Sequence, residues 1–273
     1  MIQTSPFPFT FLQDLPGLWG PRTYTVASQQ FDVTELQKRI LQKTKDGTKA
    51  KPAFYIDPRT LDHRLNLMFG GAWSIGFSID MGDKLLVARA TLNINGIVRE
   101  DVSSEPLMNI RKDYKTGEVT ETVNEMATTA AQAAAYKRAA VKFGISAYLY
   151  DFKDEVIWLE VDPKWKSQFK DPSIKLADLP EFARPMPGPQ IVMNELVYLC
   201  GTDDPVQLKE TLQTYWGLDT VRNLDRDDSF RLAACIARVT DFLAITGKTI
   251  SALAEDRVNA AKSSSSMGFQ GGR

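Results

Sequence analysis

Three cations crowd the end of one alanine-rich stretch. Within Asn124–Gly144 (NEMATTAAQAAAYKRAAVKFG) stand Lys137, Arg138 and Lys142. The alanines make a helix strongly favoured, and Gly144 is a natural stop. On such a helix Arg138 and Lys142 are four residues apart and share a face, where like charges repel by a few tenths of a kcal/mol, roughly. A bound polyanion would turn that cost into attraction. The same cations also suit a helix C-terminus, where they offset the dipole. Local chemistry leaves both readings open. Arg59 is odd in a different way. It follows Asp57-Pro58, a cap and first-position pair, and so falls in a first turn, where a cation is unfavourable. It answers to something other than helix stability.

Other chemistries lack their residues. Gly247-Lys248-Thr249 resembles the end of a phosphate-binding loop, but Phe242 stands where the earlier glycine is required. It reads as a helix stop. His63 is the sole histidine, without cysteine or histidine partners at ligand spacing, so neither a zinc site nor a histidine-based triad is expected. Asp225, Asp227 and Asp228 lie where a helix N-terminus attracts acids anyway. No enzyme, no metal and no cofactor is expected.

The chain's 33 basic and 34 acidic residues give a formal net charge of −1, so no global field draws it to nucleic acid. Any such binding must come from a local patch, or from patches multiplied by assembly. No apolar run approaches the roughly 18 to 20 residues of a membrane span, and Met1–Phe11 lacks the pattern of a secretory signal. Cys200 and Cys235 sit on apolar helical patterns and read as buried thiols in a reducing compartment. The expected location is cytoplasmic, beside the nucleoid.

The elements that must position these cations follow in order. Residues 1–30 are rich in proline and aromatics and read as an arm. Asp32–Thr44 reads as a helix: Asp32 and Glu35 have capping-box spacing, and Val33, Leu36 and Ile40 recur at helical intervals. Lys38, Arg39, Lys43 and Lys45 would form its solvated face. A second helix begins at Asp57-Pro58 and ends at Gly70, with Leu61, Leu65 and Met68 as its buried stripe. Trp73, Ile75, Phe77 and Ile79 then alternate with polar residues, predicting a strand with one face buried. Leu85–Ile94 is a second strand, Asn95-Gly96 is a strong hairpin signal, and Ile97–Ser103 returns as a third strand carrying Arg99. Glu105–Thr122, with Arg111, Lys112 and Lys115, reads as a polar loop or small hairpin. The long helix must cover one face of this meander, giving an α+β fold of two layers. After Gly144 comes a strand-like piece at Val156–Val161. Residues 162–190, with six prolines at 163, 172, 180, 185, 187 and 189, have linker composition. Residues 191–262 form a helical unit, and 263–273 a flexible Ser/Gly-rich tail.

Three stretches occur together in this order: Met68-Phe69-Gly70-Gly71-Ala72-Trp73-Ser74, Asn95-Gly96-Ile97-Val98-Arg99-Glu100-Asp101-Val102, and Tyr136-Lys137-Arg138-Ala139-Ala140-Val141-Lys142-Phe143-Gly144. They resemble the core of the Rad fifty-two type of single-strand annealing protein, a family that includes phage annealases and DdrA-like repair proteins. The resemblance covers about Asp32–Asp151, so residues 31–161 become an annealase core. It implies a β-β-β-α core assembled into a ring or arc, with single-stranded DNA in an outer basic groove, phosphates inward and bases exposed. Lys137 and Arg138 match the family's basic pair, and Arg59 matches its arginine with one residue of offset. The family's next basic position is Val141 here, with Lys142 adjacent as the substitute. Lys112 and Lys115 are candidates by location for a second, outer site, and Arg99 joins the DNA-binding set from the third strand.

The expected function is ATP-independent binding and annealing of complementary single strands in recombination or repair by a homo-oligomer. The alternative is an oligomer that protects strands or ends without annealing them. The partners expected are single-stranded DNA and further copies of the chain. The C-terminal unit is open to a recombination or single-strand-binding protein, and recombinase loading does not carry over from eukaryotic relatives.

Overall fold

A computed structural model describes residues 7, 19–113, 116–153 and 157–267. The chain divides into two compact units. One comprises Ser28–Leu65 and Trp73–Pro185; the other comprises Met1–Ala27, Asn66–Ala72 and Met186–Arg273. Helix α1 (Pro21–Ala27) belongs to the second unit.

The first unit is α+β. It opens with strands β1 (Leu36–Lys43) and β2 (Lys49–Ile56), paired antiparallel from Leu36↔Ile56 to Lys43↔Ala50. This corrects the helix predicted over Asp32–Thr44. Leu36 and Ile40 satisfy a helical interval, but with Lys38 between them they satisfy period two equally. The partner strand decides: Ala50, Pro52, Phe54 and Ile56 alternate as buried residues. The capping-box spacing forms a single turn, in which the Asp32 backbone N–H donates to Glu35 Oε2 at 2.8 Å.

Helix α2 (Pro58–Phe69) begins as the sequence indicates. Asp57 Oδ1 accepts the backbone N–H of Arg59 at 2.9 Å, and Leu61, Leu65 and Met68 are buried. The antiparallel meander is β3 (Trp73–Met81), β4 (Leu85–Ile94) and β5 (Ile97–Pro106), in spatial order β3-β4-β5. Asn95 and Gly96 both take positive φ, +51° and +83°, as a primed two-residue turn demands. Next comes the hairpin β6 (Met108–Lys112) and β7 (Val119–Val123), the hairpin option for that segment.

Helix α3 (Ala127–Val141) lies across β4 and β5. Its buried stripe is Ala127, Ala131, Ala135, Tyr136, Ala139 and Ala140, and Ala131 packs with Leu86 and Ala88. Alanine leaves little side chain between helix and sheet, so the two backbones approach closely. The predicted buried face of β3 holds only in its first half, where Trp73 and Ile75 are half-buried; its far half is uncovered. Phe77, Ile79 and Met81 are exposed, and the Phe77 and Tyr136 rings meet edge to face.

After Gly144 a 3-10 turn, Ala147–Lys153, packs Phe152 against Phe54 and Phe182. Strand β8 (Leu159–Glu160) pairs with β2, so the strand-like piece is shorter than Val156–Val161, and Val156 lies outside the described residues. The proline-rich stretch does not behave as a bare linker. Phe169, Ile174, Leu179 and Ala183 are buried, and Gln30 donates to the Phe182 carbonyl at 2.8 Å. Proline sets its direction, while the apolar residues between the prolines anchor it.

The second unit is helical: α1 with α4 (Gly188–Cys200), α5 (Pro205–Trp216), α6 (Arg226–Thr246) and α7 (Ile250–Met267). Asp204 and Asp225 cap α5 and α6 through their carboxylates, and Gly247 closes α6 at φ +67°, so the Gly-Lys-Thr triplet is a helix stop. Arg22 pairs with the buried Glu195 at 2.5 Å. Asp241 accepts the Arg22 and Thr23 backbone N–H groups, docking α1 on α6. Cys235 is buried, Cys200 half-buried, and both are free thiols. Ser263–Met267 continue α7 rather than starting a flexible tail; residues 268–273 lie outside the described residues.

Candidate nucleic-acid interface

Lys137 and Arg138 are consecutive on α3, so their side chains leave the helix about 100° apart. They reach different neighbours. Lys137 turns toward the β1–β2 hairpin, where its ammonium lies 5.4 Å from the Tyr55 ring centroid, within cation–π range. Arg138 turns toward β5 and donates from Nε to Asp101 Oδ1 at 3.0 Å. Lys142, one turn later on that side, reaches Asp101 Oδ2 at 3.2 Å and the Glu100 carbonyl at 2.5 Å.

Between these walls runs an open groove of about 570 Å³. Arg39, Ala53 and Tyr55 form one side, and Ala130, Ala133, Ala134, Lys137 and Arg138 form the α3 floor. Ser103 and Glu105 close the β5 side, with Leu149 and Tyr150 from the 3-10 turn. The alanines Ala130, Ala133 and Ala134 put only methyl groups on the floor between the walls.

The electrostatics of the floor are uneven. The Lys137 ammonium is held below the ordinary lysine pKa, first by burial and second by the Arg39 guanidinium, while Asp57 pulls the other way. Among the described residues no carboxylate forms an ion pair with Lys137 or Arg39. Two like charges therefore face one groove, an arrangement that an anion relieves. Asp101 differs. Burial raises its pKa, but the Val102 N–H, Lys142 and Arg138 outweigh that and leave the carboxyl below its usual range.

The structure brings Lys137 and Arg138 into the groove, with Lys142 tied to Arg138 through Asp101. It does not bring in the others. Arg59 has a side chain 93% exposed, beside Asp57 at 3.4 Å, and does not line the groove. Arg99 lies over the Phe143 ring at 5.8 Å, and Lys112 is exposed on β6. Lys115 falls outside the described residues.

Arg39 and Tyr55 are the residues that sequence reasoning missed. Reading Asp32–Thr44 as a helix scatters Arg39 onto a solvated face. As a strand, period two places Gln37 and Arg39 on one face with Ala53 and Tyr55 opposite them. The signal was the alternation of Ala50, Pro52, Phe54 and Ile56 next door. Aromatic residues, Phe54, Tyr55 and Tyr150, also line the groove. Among the described residues no group of His, Cys, Asp or Glu could hold a metal ion, and no helix is long and apolar enough to cross a membrane.

The amino-acid sequence has relatives of known name. The chain is similar to DdrA. It is 32% identical over 142 residues to the single-stranded DNA-binding protein DdrA of Deinococcus deserti, covering 52% of this chain and 60% of that protein. To DdrA of Deinococcus radiodurans it is 30% identical over 140 residues, or 51% and 57%. The match thus spans less than two thirds of the length of these DdrA proteins. No family model matches the chain, and no solved structure does.

Proposed function

We propose that this protein binds single-stranded DNA in DNA repair, laying the phosphates along the groove over Arg39, Lys137 and Arg138. The observation that carries the reading is the Lys137–Arg39 pair: two cations without a paired carboxylate among the described residues, on an alanine floor open to solvent. The DdrA likeness supports the choice of polyanion. One chain offers few cations and a net charge of −1, so useful affinity requires repetition along the strand. We infer a homo-oligomer, a ring or arc. The uncovered apolar residues Phe77, Ile79 and Met81 on β3, and Met108, Ile110, Val119 and Val123 on the hairpin, are the kind of surface copies would bury.

Within that reading the protein anneals complementary strands without ATP, since backbone binding at the groove floor leaves bases free to pair. Accelerated pairing of complementary oligonucleotides, unchanged by omitting ATP and magnesium, is the expected result. Binding without accelerated pairing favours the alternative, a strand- or end-protecting oligomer, for which the relatives' name as binding proteins speaks. Strand cleavage would sink both. The helical unit is the proposed docking place for a recombination or single-strand-binding protein.

A further inference from the structure

The Glu100-Asp101 pair is the acidic centre of a stretch that otherwise looks built for a polyanion. A carboxylate beside a phosphate path costs Coulomb energy, so its presence needs a compensating gain. The two acids divide the work. Glu100 faces away from α3, accepting from Thr91 Oγ1 at 2.7 Å and pairing with Arg89 at 3.5 Å. Asp101, paired opposite Ala90 in the sheet, faces α3 with its side chain only 15% exposed. Its Oδ1 accepts the Val102 N–H at 2.8 Å, which fixes the carboxylate rotamer, and the Arg138 Nε–H at 3.0 Å; Oδ2 takes Lys142.

The use of Nε is informative. A guanidinium held by Nε keeps both terminal nitrogens for a second acceptor, and their fork matches two phosphate oxygens. Among the described residues no acceptor takes them, and Arg138 lines the groove. We propose that Asp101 is a positioning residue for strand binding: it anchors Arg138 through Nε and Lys142 through its ammonium, so that the free end of Arg138 is pre-set toward the phosphate path. This rests on the groove reading above. Anchoring spares the ordering entropy of a long, rotamer-rich side chain when the strand arrives.

The sign of one substitution tests it. Removing a negative charge beside a polyanion should tighten binding; removing an anchor should weaken it. For a fluorescent oligothymidylate we expect Asp101→Asn to bind about tenfold more weakly, the scale of one charged hydrogen bond. The salt dependence should flatten by about 0.7, one single-strand phosphate contact. Glu105→Gln removes an acid from the same groove wall without touching Arg138, and is expected to bind more tightly. In an Arg138→Ala background, Asp101→Asn should change affinity less than about twofold, whereas a merely structural role would keep its full loss. If the Asn variant melts early, Asp101→Glu keeps the charge but displaces the oxygens, and weaker binding is again expected. Unchanged or tighter binding by Asp101→Asn, or unchanged binding by a folded Asp101→Glu, overturns the proposal. Lys137→Ala measured alongside separates the two levels: if it too binds normally, the groove reading has failed.

Discussion

The two flanks of α3 carry similar cations in opposite electrostatic states. On the β5 flank, Arg138 and Lys142 share one carboxylate, Asp101, at 3.0 and 3.2 Å. On the β1–β2 flank, Lys137 faces Arg39 and the Tyr55 ring, and its pKa is lowered by burial and by the like charge. Counting lysines and arginines along the helix treats these flanks as equal. The geometry does not: one flank is already half neutralised and oriented, while the other holds two cations with no carboxylate in ion-pair contact among the described residues. An incoming phosphate gains most where repulsion is relieved.

That contrast orders the expected effects. Lys137→Ala with Arg138→Ala removes the floor from both flanks and should weaken single-strand binding about a hundredfold or more, from two charged contacts; sedimentation should show the same state of assembly as the unsubstituted protein. Arg39→Ala should cost about tenfold and flatten the salt dependence by about 0.7, which equilibrium titration at several salt concentrations measures. Lys142→Ala, already tied to Asp101 and the Glu100 carbonyl, should cost only about two- to threefold, the scale of an exposed pair. If Lys142→Ala cost as much as Arg39→Ala, the two flanks would be equivalent and the contrast would fail.

The lowered pKa of Lys137 adds a pH signature. Bound phosphate favours the ammonium, so binding takes up a proton between the free and bound pKa values, and affinity should fall as pH rises through the lowered free pKa toward the ordinary lysine range. Stability moves the other way. The fold disfavours the ammonium relative to the unfolded chain, so this lysine's contribution improves as pH rises through its lowered folded pKa toward 10.5. Lys137→Arg should flatten both trends, as titration and thermal melting at each pH would show.

How much of this was legible depended on whether the signal was local. Asn95-Gly96, Asp57-Pro58 and the alanine run announce themselves within a few residues, and the meander and both helices formed where they stand. Lys137 and Arg138 were legible as a pair because they ride on that helix. The β1–β2 hairpin was not legible from Leu36 and Ile40 alone, whose spacing fits either period; its register with Ala50, Pro52, Phe54 and Ile56 resolves them. Losing that strand lost Arg39 and Tyr55, and with them one wall of the groove. Arg59 shows the converse limit: a cation oddly placed for a helix dipole turned out to lie exposed beside its own cap, Asp57. The exposure of Phe77 and Ile79 was equally hidden, since alternation shows which face is apolar but not how far α3 extends over it.

Lysine footprinting tests the central claim most directly. Acylation rates read by mass spectrometry, with and without a saturating oligothymidylate, should show Lys137 strongly protected by the strand while Lys142 and Lys112 change little. Lys137 that reacts equally fast in both states, or protection centred on Lys112, would contradict the account.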